Sequence, residues 1–172
     1  REAIDPVRYV SNLSSGKMGY AVAEAARDRG ANTILVSASD SLSDPIGVTV
    51  VRVVSAVEMR DAVVKEIKDA DALIMAAAVA DWRPEETFDQ KLKKGVSERW
   101  RVELVRNPDI VADLGRDGLV KVGFAAESQN LQANALKKLL GKGLDLIAAN
   151  NITDQDAGFG SDDNRVVLMS RD

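Results

Sequence analysis

A chain of 172 residues, 45% hydrophobic and 29% charged, has the material for one globular domain with a sizeable core and is not a disordered tail. Its net charge of −4 argues against a nucleic-acid surface and points to a small-molecule partner, although basic clusters at Lys91/Lys93/Lys94 and Lys137/Lys138/Lys142 can hold small anions. Having neither cysteine nor histidine, the chain has no disulfide, thiolate nucleophile or imidazole base, and its chemistry must rest on Lys, Arg, Asn and carboxylates, an inventory suited to positioning and neutralising phosphates.

No signal peptide or membrane span is visible, which predicts a cytoplasmic protein without a membrane partner. Arg1 to Asp5 offers no opening strand and Asp5-Pro6 reads as a turn, so this segment is expected to be a loop whose preceding strand has been cut away. Ser11-Asn12-Leu13-Ser14-Ser15-Gly16-Lys17-Met18-Gly19 then runs into a small-residue helical pattern from about Gly16 to Arg29, with Gly30 at its C-cap. N–H groups at a helix start, serine hydroxyls, an asparagine amide and Lys17 together resemble an anion cradle. The stretch nevertheless lacks the first glycine and the Lys-Ser/Thr of a P-loop, and Gly16 and Gly19 supply only half of G-x-G-x-x-G. A plain helix cap by Ser14 or Ser15 explains it equally well.

Further on, Thr33–Ser37 and Val48–Val54 read as strands flanking a Ser/Asp/Pro loop, and a helix is expected from Ala56 to Lys68 with Val57, Arg60, Val64 and Ile67 along one stripe. The apolar run Ala72–Val79 predicts a strand buried on both faces. Residues 82–98 have no period and are expected to form a lid-like loop. Trp100–Leu104 alternates like a half-exposed strand, and Asn107-Pro108-Asp109 has the form of a helix start. Val120–Phe124 predicts a strand, Leu131–Leu140 a helix carrying Lys138 one turn before Lys142, Leu144–Ala149 a buried strand with Asp145 structural, and Val166–Met169 an edge strand. The alternation predicts a single α/β, Rossmann-like domain over residues 1–172, its mainly parallel sheet covered by helices on both faces. At the carboxyl ends of such strands the Asn12–Gly19 turn, the Ala76–Asp81 exit and the Asn107 start would converge on a nucleotide.

The order Asp5-Pro6-Val7-Arg8-Tyr9-Val10-Ser11-Asn12, Ser14-Ser15-Gly16-Lys17-Met18-Gly19, Ala77-Ala78-Val79-Ala80-Asp81, Lys91-Leu92-Lys93-Lys94, Asn107-Pro108-Asp109-Ile110 and Gly123-Phe124-Ala125-Ala126-Glu127 closely resembles phosphopantothenoylcysteine synthetase (phosphopantothenate–cysteine ligase). In bacteria this domain is usually the carboxyl half of a bifunctional coenzyme A biosynthesis protein whose amino half is a flavin-dependent decarboxylase. The resemblance implies a ligase that uses CTP to convert 4′-phosphopantothenate into an acyl-cytidylate, releasing pyrophosphate, before the amine of cysteine displaces CMP. It implies substrate contacts from Arg8, Asn12, Ala77 and Ala78, with Asn12 and Lys91 as catalytic residues. Nucleotide contacts fall on Asp81, Lys91, Pro108, Asp109, Ile110, Val111, Phe124, Lys138 and Lys142. Asp109 is the candidate ligand for Mg²⁺. The family also forms homodimers whose substrate site can borrow from the neighbour, and it carries a further strand with a Gly-Gly-Thr loop before the position of Arg1 and a closing helical segment after that of Asp172. An ATP-using version of the ligase, a nicotinamide-dependent Rossmann reductase with Asp40 on the ribose, and a non-catalytic nucleotide-binding module are the competing readings.

Overall fold

The computed structural model describes residues 1–95, 98–115, 117–151, 153 and 164–171. The elements in order are β1 (Glu2–Ala3), β2 (Tyr9–Val10), α1 (Lys17–Asp28), β3 (Ile34–Ser37), β4 (Thr49–Arg52), α2 (Ala56–Glu66), β5 (Ala72–Met75), β6 (Trp82–Pro84), β7 (Leu104–Arg106), β8 (Val120–Glu127), α3 (Leu131–Gly141), β9 (Leu146–Asn151) and β10 (Val166–Ser170). The main sheet has the order β10-β9-β8-β5, with β9, β8 and β5 parallel and β10 antiparallel at its edge. β3 and β4 form a separate parallel pair, while β1–β2 and β6–β7 are short antiparallel pairs.

Two apolar clusters hold these pieces. Ala135 and Leu139, one turn apart on α3, face the sheet beside Val111, Ala125, Leu144, Ile147 and Ala149, and Leu139, Leu144 and Ile147 are the largest fully buried side chains. Each such side chain contributes about 1.5–3 kcal/mol by leaving water. Met59 and Val63 on α2 form the second cluster with Ile110 and Leu114, packed against Val36 of β3 and Leu73 of β5. Helix α2 therefore bridges the separate pair and the main sheet.

Local chemistry sets where the helices start and stop. Ser55 Oγ accepts from Glu58 N at 3.2 Å, the Glu58 carboxylate accepts from Val54 N at 2.9 Å, and the buried Glu2 carboxylate accepts from Ala56 N at 2.9 Å. With its start fixed there, α2 buries Ala56, Met59 and Val63, a face turned from the expected stripe, and Val64 is left exposed. At the other end of α1, Gly30 N bonds Arg27 O and Ala31 N bonds Ala26 O, the paired bonds of a Schellman turn.

Several expectations change. Arg1–Asp5 contains a strand after all, because Glu2 and Ala3 pair with Val10 and Tyr9. β5 is shorter than Ala72–Val79 and is not buried on both faces: among the described residues it pairs only with β8, and Ile74 is exposed. The strand expected at Trp100–Leu104 lies instead at Leu104–Arg106, where it has β6 to pair with. Asn107-Pro108-Asp109 opens a single turn instead of a helix, since the Asn107 amide donates to Ala80 O at 2.8 Å, while Asp109 accepts from Ala112 N and Asp113 N.

The 82–98 segment, of which residues 96 and 97 lie outside the described set, is not structureless either. It opens as β6, and its next residues are stitched to the β1–β2 hairpin: Thr87 Oγ1 donates to Ala3 O at 3.1 Å, Phe88 N to Ile4 O at 3.0 Å and Leu92 N to the Asp5 carboxylate at 3.1 Å. Among the described residues, no helix is long and apolar enough to cross a membrane.

Gly123, central in β8, carries the tightest packing. A Cβ there would stand 2.6 Å from Leu144 Cδ1, so the buried Leu144 side chain would have to shift. Gly123→Ala is expected to lower unfolding stability by about 1–3 kcal/mol, read as a shift in the urea midpoint at unchanged slope.

Candidate functional site

The carboxyl ends of parallel strands share one edge of a sheet, and a cleft of about 1430 Å³ opens there. That exceeds the roughly 300–1,000 Å³ typical of a single small-molecule pocket and leaves room for two substrates. Its lining includes Ser11–Ala21, Met75–Trp82, Arg106–Val111, Phe124, Lys138 and Lys142.

Hydrogen bonds sew the three expected segments together. Asn12 Nδ2 donates to Val79 O at 3.0 Å, Asn107 Nδ2 to Ala80 O at 2.8 Å and Asn107 N to Asp81 O at 2.9 Å. The strand exit after β5 is thus gripped from both sides by amides, with the short side chains of Ala77 and Ala78 exposed along it. Ile110 and Val111 are buried in the two cores and shape the cleft wall from behind, while Phe124 is half-buried in it.

The turn before α1 is closed by a glycine. Gly16 adopts φ 75°, a left-handed conformation that favours glycine, and a Cβ there would press on Leu42 and Ser39. The expected serine cap does not form: the N-cap is Gly16 with no side-chain cap bond, and Ser14 Oγ accepts from Gly16 N at 3.2 Å in the turn ahead of the helix. The N–H groups of Met18 and Gly19 find no acceptor among the described residues and stay available at the positive end of α1.

Both lysines of the α3 end are balanced by carboxylates. Lys138 Nζ donates to Glu127 Oε1 at 2.7 Å, with Asn134 Nδ2 adding a bond at 3.0 Å, and Lys142 pairs with Asp109 at 2.9 Å. Burial pushes the Glu127 carboxyl up, but Lys138 and Asn134 outweigh it and hold the carboxyl below its ordinary value. Asp109 follows the same balance: burial opposes its charge, and Lys142 together with the Ala112 and Val111 N–H groups leaves it lowered. Asp81 lies in the cleft with its carboxylate unpaired among the described residues.

Arg8 and Lys91 are not brought into this cleft. Arg8 is committed elsewhere, to the Asp5 carboxylate, to Leu92 O at 2.9 Å and to the Trp100 ring at 4.6 Å. Lys91 is exposed and unpaired among the described residues. Asp40, the carboxylate that a nicotinamide enzyme would turn to ribose, is ion-paired with Arg1 at 2.7 Å. Sequence reasoning gave no role to Glu127, whose place beside Lys138 depends on how β8 registers against α3, or to Asn150, which lines the cleft at the end of β9. A polar residue closing an apolar strand was the only signal for Asn150.

A family model described as the DNA/pantothenate metabolism flavoprotein C-terminal domain matches residues 1–172. A Coenzyme A biosynthesis bifunctional protein CoaBC from Vibrio vulnificus is 48% identical over 98% of this chain and 43% of its own length. The Bacillus subtilis protein of the same name is 47% identical over 100% of this chain and 43% of its own length. The chain thus spans less than half the length of these curated relatives. A crystal structure of the C-terminal domain of CoaBC superposes with TM-score 0.81 at 41% identity, covering 99% of this chain and 76% of that one. A DNA/pantothenate metabolism flavoprotein from Streptococcus pneumoniae shares the fold at TM-score 0.77 and 21% identity, covering 99% and 83% of the two chains.

Two outcomes follow from the paired lysines. Glu127→Gln removes the counter-charge of Lys138 and is expected to tighten inorganic pyrophosphate binding about threefold to tenfold at low salt, measured by calorimetry. Since the Glu127 carboxyl is lowered in the folded state, its stabilising contribution is complete above an unfolded pKa of about 4.3 and is lost as pH falls through the folded value. The melting-temperature advantage of the unmodified protein over Glu127→Gln should therefore be constant near neutrality and close below about pH 4.

Proposed function

The chain belongs to the DNA/pantothenate metabolism flavoprotein C-terminal domain family, and from that premise we propose that it is the ligase joining 4′-phosphopantothenate to cysteine in coenzyme A biosynthesis, with CTP as the activating co-substrate. The observation carrying this reading is the single cleft in which Asn12, the Ala77–Asp81 exit, Asn107 and the two carboxylate-balanced lysines meet.

In the first step a carboxylate oxygen of 4′-phosphopantothenate attacks the α-phosphorus of CTP, and pyrophosphate leaves with the electrons of the broken P–O bond. Lys138 and Lys142 exchange Glu127 and Asp109 for phosphate oxygens, and the free N–H groups at the start of α1 offer further donors. In the second step the cysteine amine attacks the acyl carbon, CMP leaves and the amine proton passes to solvent. Asn12 holds the acyl group while Ala77 and Ala78, being small, let ligand approach the backbone. Phe124, Pro108, Ile110 and Val111 form the wall on which the nucleotide rests.

Among the described residues no cluster of three metal-binding side chains exists. Mg²⁺ characteristically needs only one or two carboxylates in addition to phosphates and water, a demand that Asp109 and Asp81 meet. Bound with the triphosphate, it would neutralise phosphate charge there.

Arg8 and Lys91, outside their own cleft, fit a homodimer in which they serve the neighbour's. Supporting this, Val7, Tyr9, Trp82 and Trp100 expose apolar surface on and beside the hairpin that bears Arg8. The bifunctional relatives favour a longer, cytoplasmic protein that also carries a flavin-dependent decarboxylase.

The purified protein, supplied with 4′-phosphopantothenate, CTP and cysteine, is expected to release CMP and pyrophosphate in a cysteine-dependent manner. AMP release from ATP in a parallel assay would move the reading to the ATP-using ligase, and a folded protein consuming neither nucleotide would overturn it. Asn12→Asp and Lys91→Ala should each cut turnover to a small but still measurable residual rate, whereas mixing and re-equilibrating the two variants should restore about one quarter of the unmodified rate if a two-fold dimer shares its clefts. No recovery from the mixture would place Lys91 in its own protomer's cleft.

A further inference from the structure

Asp5 is more heavily used than its turn requires. The residue is 3% exposed, and its carboxylate gathers N–H groups from two distant parts of the chain. One oxygen, Oδ1, accepts from Val7 N and Arg8 N at 2.9 Å each, which is all that the turn between β1 and β2 needs. The other, Oδ2, accepts from Arg8 Nε at 2.9 Å, from Arg8 Nη2, and from Leu92 N at 3.1 Å. Arg8 Nη2 also donates to Leu92 O at 2.9 Å. Both polar groups of Leu92 are thus held, the N–H by Asp5 and the carbonyl by Arg8.

The Leu92 N–H belongs to the peptide joining Lys91 to Leu92. A peptide is planar and includes the Lys91 Cα, so holding that N–H and the following carbonyl restrains the point from which the Lys91 side chain departs. Beyond this point support stops, because Lys93, Lys94 and Gly95 make no hydrogen bond among the described residues. Thr87 and Phe88 are anchored to Ala3 and Ile4, several residues before the lysine. Leu92 is accordingly the last anchored residue before a free stretch, and its anchor is a buried carboxylate.

We propose that Asp5 is a positioning residue for the ligase reaction: without touching substrate, it sets where Lys91 can reach the phosphate oxygens of the nucleoside triphosphate. The inference rests on the ligase reading for the role of Lys91, while the clasp itself stands on geometry alone. Asp5→Asn keeps size and the Oδ1 contacts but turns an NH₂ group toward the Arg8 and Leu92 donors, releasing the clasp.

A double-mutant cycle with Lys91→Ala separates positioning from a general structural role, and from any effect that reaches the reaction through Arg8 alone. Asp5→Asn is expected to lower kcat for acyl-cytidylate formation about 10–100-fold with KM for CTP little changed, yet to have almost no further effect in the Lys91→Ala background. Equal losses in both backgrounds, or no loss in either, would overturn the proposal. Amide hydrogen exchange on the unmodified protein tests the clasp without turnover or a folded variant: Leu92 should exchange at least about tenfold more slowly than Lys93 and Lys94. Exchange of Leu92 at their rate would remove the clasp even if the ligase is active, whereas protection at Leu92 without any CTP-dependent turnover would count against the ligase reading and leave the clasp in place.

Discussion

The parallel ladder that joins β5, β8 and β9 is the constraint from which the rest of the site follows. Met75 lies beside Gly123 and Gly123 beside Ile147, so one row crosses the sheet and all three strands deliver their carboxyl ends to the same edge. Parallel pairing demands crossovers, and α3 supplies the one between β8 and β9 with Ala135 and Leu139 turned into the core. The missing side chain at Gly123 lets Leu144 close the layer behind the sheet. A misplaced register there would scatter Phe124, Lys138 and the Ala77–Asp81 exit to different sides of the molecule.

Electrostatics then decide what the edge can hold. The cleft gathers positive charge from Lys138 and Lys142, which is costly to leave uncompensated near a low-dielectric wall. Glu127 and Asp109 supply the compensation while keeping the two ammonium groups in place, and their lowered carboxyl pKa values show that the pairing outweighs their own desolvation. Replacing a carboxylate by a phosphate oxygen changes the local charge little, so the exchange favours selection among anions over raw affinity. At the α1 turn Ser14 and Ser15 occupy the N–H groups of Gly16 and Lys17, and those of Met18 and Gly19 find no acceptor among the described residues.

Much of this was legible in the sequence where periodicity and local chemistry agree. α1, with Gly30 past its end, and the β-branched strands β3 and β4 fall where pattern places them. The family resemblance was likewise written in the order of the motifs, and the Rossmann-like class in the alternation of strands and helices. What pattern could not supply was pairing partners. The run Ala72–Val79 is apolar throughout, yet only its first half finds a ladder, and the rest becomes an exit whose carbonyls are taken by Asn12 and Asn107. The pair Glu2–Ala3 is too short to announce itself, and its strand character comes only from Tyr9 and Val10 across the turn. Residues 87–92 lack a period because their partners lie in a hairpin some eighty residues earlier, a relation that no local window contains. For the same reason Arg8, quoted within a motif, gave no sign that its guanidinium is committed to Asp5 and Leu92.

The buried carboxylate of Glu2 has a practical bearing of its own. It accepts the Ala56 N–H at the start of α2, the helix that spans the seam between the β3–β4 pair and the main sheet. Three residues along the chain, Asp5 grips the arm at Leu92. A segment short enough to look like a disposable surface tip is therefore a joint between two parts of the fold, and a graft or loop exchange there would have to reproduce two acidic side chains at fixed spacing. Anyone redesigning the surface of this fold should treat residues 2–8 as internal framework, although the chain leaves Val7 and Tyr9 in full view of solvent.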